Sequence, residues 1–170
     1  TGGFAHARQQ HTAECEEGKQ HRNAGLLAGG KRLRPVLLMA AADAVGATGT
    51  DFLRTACALE MIHTGSLIHD DLPAMDNDLL RRGQPSVHAK FGEAAAILVG
   101  DALLTGAFEV VTTANTLAPA ETMIPDQTIV TIVQNLAHFS GAAGMVIGQM
   151  HDMANHGQNL QTATDWLLQW

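Results

Sequence analysis

Apolar stretches of helical length, separated by glycine- or proline-marked breaks, organise this chain. Pro35 suits a first helical turn, where its missing N–H is not needed, and an Ala-rich apolar run, Val36–Val45, follows it. Gly46–Thr50 interrupts that run. Asp51 supplies an N-cap for a second helix extending to Leu72, with Leu53, Ala56, Cys57, Leu59, Glu60, His63, Leu67 and Asp70 at helical spacing. Pro73 stops it, and Asp76–Ser86, polar with Gly83 and Pro85, reads as a loop. Val87–Thr113 reads as one long helix, and Asn115–Pro125 as a connector. Asp126 is placed to N-cap a helix running through Phe139. Gly141, Gly144 and Gly148 then fall in an otherwise helical stretch, each costing about 1 kcal/mol against Ala while permitting close packing. Residues 1–23 predict a weak, polar helix, and the tail from Asn155 a polar turn ending in Trp166, Leu167, Leu168 and Trp170. The β-branched cluster Thr128–Val133 lies inside a helical pattern, and no useful period-2 alternation occurs. The expectation is an all-α fold in a single domain over residues 1–170.

Composition narrows the function. With 170 residues, 46% hydrophobic and 16% charged, the chain can bury a core and is not disordered in character. A net charge of −7 argues against nucleic-acid binding, which needs a basic face. Aromatics at 4%, with no Tyr, offer no base-stacking platform. Cys15 and Cys57 do not make a disulfide framework, so a reducing compartment is expected. The longest clean apolar run, Ala94–Gly100, is far short of a membrane span, so no transmembrane segment is expected.

Charge is concentrated in two places. Lys31, Arg32, Arg34, Arg81 and Arg82 are half of the ten basic residues, and the first three follow Gly29 and Gly30. Glycines that let backbone approach, beside guanidinium forks that bind phosphate oxygens in pairs, suggest an anion site; a solvated loop end with surface ion pairs is the plainer alternative. The second concentration is Asp70, Asp71, Asp76 and Asp78, four carboxylates in nine residues. Such crowding is unfavourable unless the groups are solvated or share a cation, and a hard dication takes carboxylates while keeping positions open for phosphate. On a continuous helix Asp70 and Asp76 would point about 120° apart. A break at Pro73, with residues near Pro73–Met75 bulging out, returns Asp76 to the face of Asp70. An acidic, helix-terminating loop is the alternative.

These residues together resemble the trans-prenyl diphosphate synthases. The matching segments are Gly29–Pro35, Glu60–His63, Ser66–Asp78, Arg81–Gly83 with Ser86–His88, Gly100–Leu104 and Gly148–Asp152, in order over most of Leu27–Asp152. Four residues separate Asp71 from Asp76, the longer form usual in bacterial farnesyl and plant-type geranylgeranyl synthases. The resemblance implies an isoprenoid-synthase-type helical bundle, incomplete at the C-terminus. It implies Mg²⁺ held by Asp70 and Asp76 with Asp71 in support, and an allylic diphosphate (dimethylallyl, geranyl or farnesyl) contacted by Arg81. Gly30, Lys31, Arg34, His63 and Arg82 would hold isopentenyl diphosphate without metal. Gln149 and Asp152 would stand behind the diphosphates, and Asp101 would be a buried carboxylate pairing helices. A homodimer is implied, and the over-apolar Val87–Thr113 pattern agrees. Location in the cytoplasm is expected, with a plastid left open.

Product length follows from the residues one turn before the motif. Gly65 and Ser66 are small, with Ile62 deeper. If Gly65 leaves a side chain's volume open, the pocket floor is deep and geranylgeranyl is favoured over farnesyl. The family's second aspartate-rich motif and its preceding Lys-Thr segment have no counterpart here: no Lys follows Lys90, and Asp165 is the last carboxylate. The chain therefore reads as the N-terminal portion of such an enzyme, with a naturally truncated, non-catalytic partner subunit as the rival. A His-Asp metal phosphohydrolase, suggested by His69-Asp70 with His63 and His88, is a remote third reading that leaves Gly29–Pro35 unexplained.

Overall fold

A computed structural model describes residues 30–116 and 123–154. The weak helix expected over residues 1–23 and the tail from Asn155 lie outside the described residues. Two compact units divide the chain, one ending at Val130 and the other beginning at Thr131. As expected, the fold is all-α.

In the first unit, helix α1 (Leu33–Ala44) is followed by a 3₁₀ turn (Gly49–Phe52) and helix α2 (Leu53–Asp70). Helix α1 stops where Gly46 takes φ 84°: Gly46 N–H bonds Asp43 O and Ala47 N–H bonds Ala42 O, the paired closure that a left-handed residue after a helix permits. Asp43 then accepts the N–H of Gly49 at 2.6 Å, tying the connection down. Asp51 lies in the 3₁₀ turn instead of capping α2, which starts one residue later than the cap reading implies and ends at Asp70. Two short antiparallel strands, β1 (Leu80–Arg81) and β2 (Gln84–Pro85), form a hairpin in the segment expected as loop. Strands of two residues carry no readable alternation.

Val87–Thr113 is two helices rather than one. Helix α3 (Val87–Phe91) ends at Gly92, whose φ of 90° and ψ of 160° no helix accommodates, and α4 (Glu93–Thr112) begins beyond it. The Gly92 N–H closes α3 on His88 O, and its carbonyl accepts from Ala96 to open α4. The core is built from Ile68, Val87, Ala96, Val99 and Leu103, with Met61, Leu72 and Phe91 packed against it.

Helices α2 and α4 run antiparallel along a seam of every fourth residue. Met61 reaches Gly106, Gly65 faces Gly100 and Leu103, and His69 covers Gly100 while bonding Ile97 O at 3.1 Å. Met61, Gly65 and His69 lie one turn apart on one face. Glycine is required here for closeness: a Cβ on Gly65 would lie 3.1 Å from Gly100 O and 3.4 Å from Leu103 Cβ, and a Cβ on Gly100 would collide with the His69 ring.

Helix α5 (Asp126–Ser140) spans the division between the units, and α6 (Met145–Ala154) follows in the second. Asp126 is the first helical residue, preceded by Pro125, whose carbonyl accepts from Thr128 and Ile129. Gly141–Gly144 is a turn that breaks the expected helical stretch. Two stretches, Glu93–Thr112 and Asp126–Ala154, are long and apolar enough to cross a membrane by length and composition. The expectation of none counted only uninterrupted apolar residues, and these stretches reach the threshold while carrying charges. Helix α4 nonetheless buries Ala96, Val99, Gly100, Leu103, Ala107 and Val111, the face of a core helix.

The seam yields a stability prediction. Gly65→Ala should cost about 1–3 kcal/mol, because a well-packed contact must open by tenths of an ångström. Gly100→Ala should cost at least as much, since it also evicts His69 from Ile97 O. Chemical denaturation of each variant checks both; unchanged midpoints would show that the seam is looser than its geometry.

Candidate functional site

The carboxylate cluster sits where α2 ends. Pro73 cannot donate to a helical ladder and disfavours helix in the residue before it. The chain makes the expected excursion and comes back: Met75 and Asn77 N–H bond Leu72 O at 2.9 and 3.1 Å, and Asp76 N–H bonds Asp70 O at 2.9 Å. Asn77 completes the return with φ 54°, a left-handed value that Asn tolerates. Asp70 is half-buried and Asp76 exposed, joined through the backbone. Among the described residues, no three His, Cys, Asp or Glu side chains converge as a closed metal cage. Two hard carboxylates on adjacent backbone still suit Mg²⁺, which takes one or two protein carboxylates and completes its shell with water and substrate phosphate. This pair of carboxylates therefore has the chemistry of donors to a hard divalent cation.

Asp71 is engaged elsewhere. It is 2% exposed, and its carboxylate is gripped by Arg81: Nε donates to Oδ1 at 2.8 Å and to Oδ2 at 2.9 Å, and Nη2 to Oδ1 at 2.5 Å. Arg81 also lies 3.8 Å from Asp78. The hydrogen bonds to Asp71, against the opposing effect of burial, raise the Arg81 pKa above its ordinary value, and Asp71, Asp78 and Asp70 charges add to this. Asp71 thus supports the site by holding Arg81.

The hairpin delivers Arg81 and Arg82. Its turn residues, Arg82 at φ 55° and Gly83 at φ 77°, are both left-handed, as a two-residue turn matched to strand twist requires. Arg82 then lies against the loop before α1: a Cβ on Gly30 would come within 2.6 Å of its Nη1. Arg34 and His63 complete the cluster. Burial, then the Arg34 guanidinium, hold the His63 pKa below its ordinary value; Arg82 and Arg81 lower it further, and Glu60 opposes them. Four cationic or protonatable groups from three segments thus act on one place, with Lys31 exposed nearby in sequence.

Sequence reasoning named Arg32 and Glu60 within the matching segments and gave them no role. Arg32 Nη1 donates to Glu60 Oε1 at 2.6 Å, and Glu60 is 8% exposed. The available signal was a carboxylate one turn before His63 in an otherwise apolar helix, since a buried charge needs a partner.

Two expectations are corrected, the open space beside Gly65 and the burial of Asp101. Gly65 does not open onto a pocket, because Gly100 O and Leu103 fill the space beside it; a close helix crossing, invisible in one helix's sequence, uses the missing side chain. Ser66 is half-buried and its hydroxyl donates to His63 O at 2.9 Å. Asp101 is exposed, 3.9 Å from His69 at the edge of the α2–α4 seam, because the inward positions of α4 belong to Gly100 and Leu103. The phosphohydrolase arrangement also fails: the His69 and His88 Nε2 atoms face Ile97 O and Asp78 O, at 3.1 and 2.9 Å, as backbone donors. Gln149 and Asp152 lie three apart on α6, in the second unit. Their place behind the diphosphates rests on the sequence pattern.

Two predictions follow from the charges. Arg81→Ala leaves a buried carboxylate without its bidentate partner and should destabilise the fold by about 3 kcal/mol, with Arg81→Lys restoring only part because a point charge cannot reproduce the fork. Thermal unfolding of the pair of variants checks this; equal stability of wild type and Arg81→Ala would remove the clasp from the account. For His63, a lowered folded-state pKa means the unfolded chain binds more protons, so its contribution to stability is present above about pH 6.5 and is lost as pH falls through and below that value. NMR titration should place the His63 midpoint below about 6.5 in the free protein and higher with pyrophosphate bound, since an anion favours imidazolium. A midpoint unmoved by pyrophosphate would take His63 out of the anion site.

Comparison with known proteins agrees with this arrangement. The family model for polyprenyl synthetase matches residues 19–169. The farnesyl diphosphate synthase of Geobacillus stearothermophilus is 50% identical over 135 residues, covering 79% of this chain and 44% of that protein. The geranylgeranyl diphosphate synthase of Cyanophora paradoxa is 50% identical over 134 residues, covering 79% and 43%. The crystal structure of an FPP/GFPP synthase from Zymomonas mobilis superposes with a TM-score of 0.73 at 40% identity, covering 82% of this chain and 48% of that one. The chain thus spans less than half the length of these relatives. The matched stretch runs through both charge clusters and the seam between α2 and α4, and the chain belongs to the polyprenyl synthetase family.

Proposed function

We propose that the protein is a short-chain prenyltransferase that condenses an allylic diphosphate (dimethylallyl, geranyl or farnesyl) with isopentenyl diphosphate. One observation carries the reading: Arg81, held by Asp71 through hydrogen bonds, interacts electrostatically both with Asp70 in the carboxylate group and with His63 in the second group. Two diphosphates with different fates need such a division. The allylic C–O bond breaks, leaving an allylic cation and pyrophosphate. The isopentenyl double bond attacks that cation, and a proton is lost, the departing pyrophosphate being its acceptor. Mg²⁺ held by Asp70 and Asp76 would supply charge for the leaving group. The partner must keep its diphosphate, so Gly30, Lys31, Arg34, His63 and Arg82 hold it with backbone and side-chain donors instead. Ile97, Leu98 and Leu104 on α4 are 45, 66 and 39% exposed, and this apolar face supports a homodimer.

Ser66 remains as the floor residue. It lies one turn before Asp70 on the same face and is small, which favours geranylgeranyl over farnesyl.

Activity of the protein encoded by the complete gene, with both substrates, tests the reading against a non-catalytic subunit. Asp70→Ala and Asp76→Ala should each lower turnover about a thousandfold at saturating Mg²⁺, and near-wild-type rates would remove the metal assignment. Ser66→Tyr should shorten the hydrolysed products by at least one isoprene unit; an unchanged product spectrum would place the floor elsewhere.

A further inference from the structure

The loop bearing Gly30 and Lys31 enters α1, whose second residue is Arg34, through Arg32, whose backbone is left-handed at φ 50°. That conformation costs an L residue about 1–2 kcal/mol, so something must hold it. The holder is on α2. Arg32 Nη1 donates to Glu60 Oε1 at 2.6 Å, and the Glu60 side chain is 11% exposed against 34% for Arg32. Glu60 lies three residues before His63, close enough for its charge to act on the imidazole. A buried carboxylate beside a site for diphosphate repels the ligand, and the proposed condensation gives it no chemical task. Its position makes sense if the carboxylate is spent on Arg32. The same loop is met on its other side by Arg82 at Gly30.

We infer that Glu60 is a positioning residue: by pairing with Arg32 it fastens the loop before α1, and the first turn of α1, to α2 and fixes Gly30, Lys31 and Arg34 around the diphosphate of isopentenyl diphosphate. This rests on the function proposed above. The pair neutralises one arginine of the loop and leaves Lys31 and Arg34 to the ligand. Glu60 touches no reacting atom and acts on the loop through Arg32.

The test uses the protein encoded by the complete gene, with Glu60→Ala, Glu60→Gln, Arg32→Ala and the double variant Arg32→Ala/Glu60→Ala. Glu60→Ala should raise the KM for isopentenyl diphosphate about tenfold or more, with saturated kcat and the allylic KM within about twofold of wild type. Glu60→Gln, whose amide oxygen still accepts from Arg32, should recover most of that loss. The double variant should be no worse than the worse single one, because both remove one interaction. Thermal melts accompany the kinetics, since a purely structural role moves the melting temperature and spares the substrate-specific KM. An unchanged isopentenyl KM in Glu60→Ala, tighter pyrophosphate binding in Glu60→Gln than in wild type, or additive effects in the double variant would each overturn the positioning role. Should Glu60→Ala fail to fold, Glu60→Gln against Arg32→Ala decides: retained isopentenyl KM in the first with a raised one in the second supports the role, and equal values overturn it. Failure of the functional reading looks different: wild type itself then shows no isopentenyl saturation and no pyrophosphate binding sensitive to Lys31→Ala, and the inference falls with it.

Discussion

The close antiparallel contact of α2 on α4 is the constraint from which the site is built. It is made possible by absent side chains at Gly65, Gly100 and Gly106, which let a backbone carbonyl, a leucine, an imidazole and a methionine occupy the space between the helices. Such a contact is short-range, and its attraction is lost steeply as the gap widens. Its last turn is the one that matters for chemistry. His69 bonds Ile97 O from the residue immediately before Asp70, so the end of α2 is fastened to α4 where the carboxylates begin.

Beyond that end, local chemistry takes over. Pro73 stops the helix, and the return of Asp76 N–H to Asp70 O converts a sequence separation of six into spatial adjacency. The charges are then sorted. Asp71 and Arg81 satisfy each other at low exposure, as do Glu60 and Arg32, and burying either member of such a pair alone would be costly. Beside these pairs stand an acidic group, Asp70 and Asp76, and a second group, Arg34, His63 and Arg82. Among the described residues, the three non-glycine positions with left-handed backbone are Arg32, Asn77 and Arg82. All three stand at the turns that bring these groups together. Strained backbone concentrated at one place is the mark of geometry held for function, and here each strained residue has a visible restraint nearby.

The sequence made some of this legible for particular reasons. Crowded carboxylates repel, so Asp70 and Asp76 advertise a cation; arginines beside glycines advertise an anion; and a proline three residues after Asp70 advertises the excursion that joins the two carboxylates. Other features were out of reach. The hairpin at Leu80–Pro85 has strands of two residues, too short for any alternation. The break at Gly92 lies in a run whose composition is helical on both sides, and only the backbone conformation there separates α3 from α4. Gly65 misled because an empty position on one helix can face a cavity or another helix, and one helix's sequence contains neither.

From its sequence alone this protein is an all-helical member of its family with an acidic cluster, a basic cluster and breaks at Gly46 and Pro73, because helical periodicity, proline stereochemistry and charge repulsion are local properties that the order of residues expresses directly. Tertiary structure alone decided that Asp71 is clasped by Arg81, that Gly65 is a packing contact, and that Arg32 pairs with Glu60 while Arg34 stands by His63. Those choices depend on which groups meet across different elements, 10 residues apart for Asp71 and Arg81 and 28 for Arg32 and Glu60 and for His69 and Ile97. Packing free energy settles such meetings, summed over whole helices, and no local pattern encodes it.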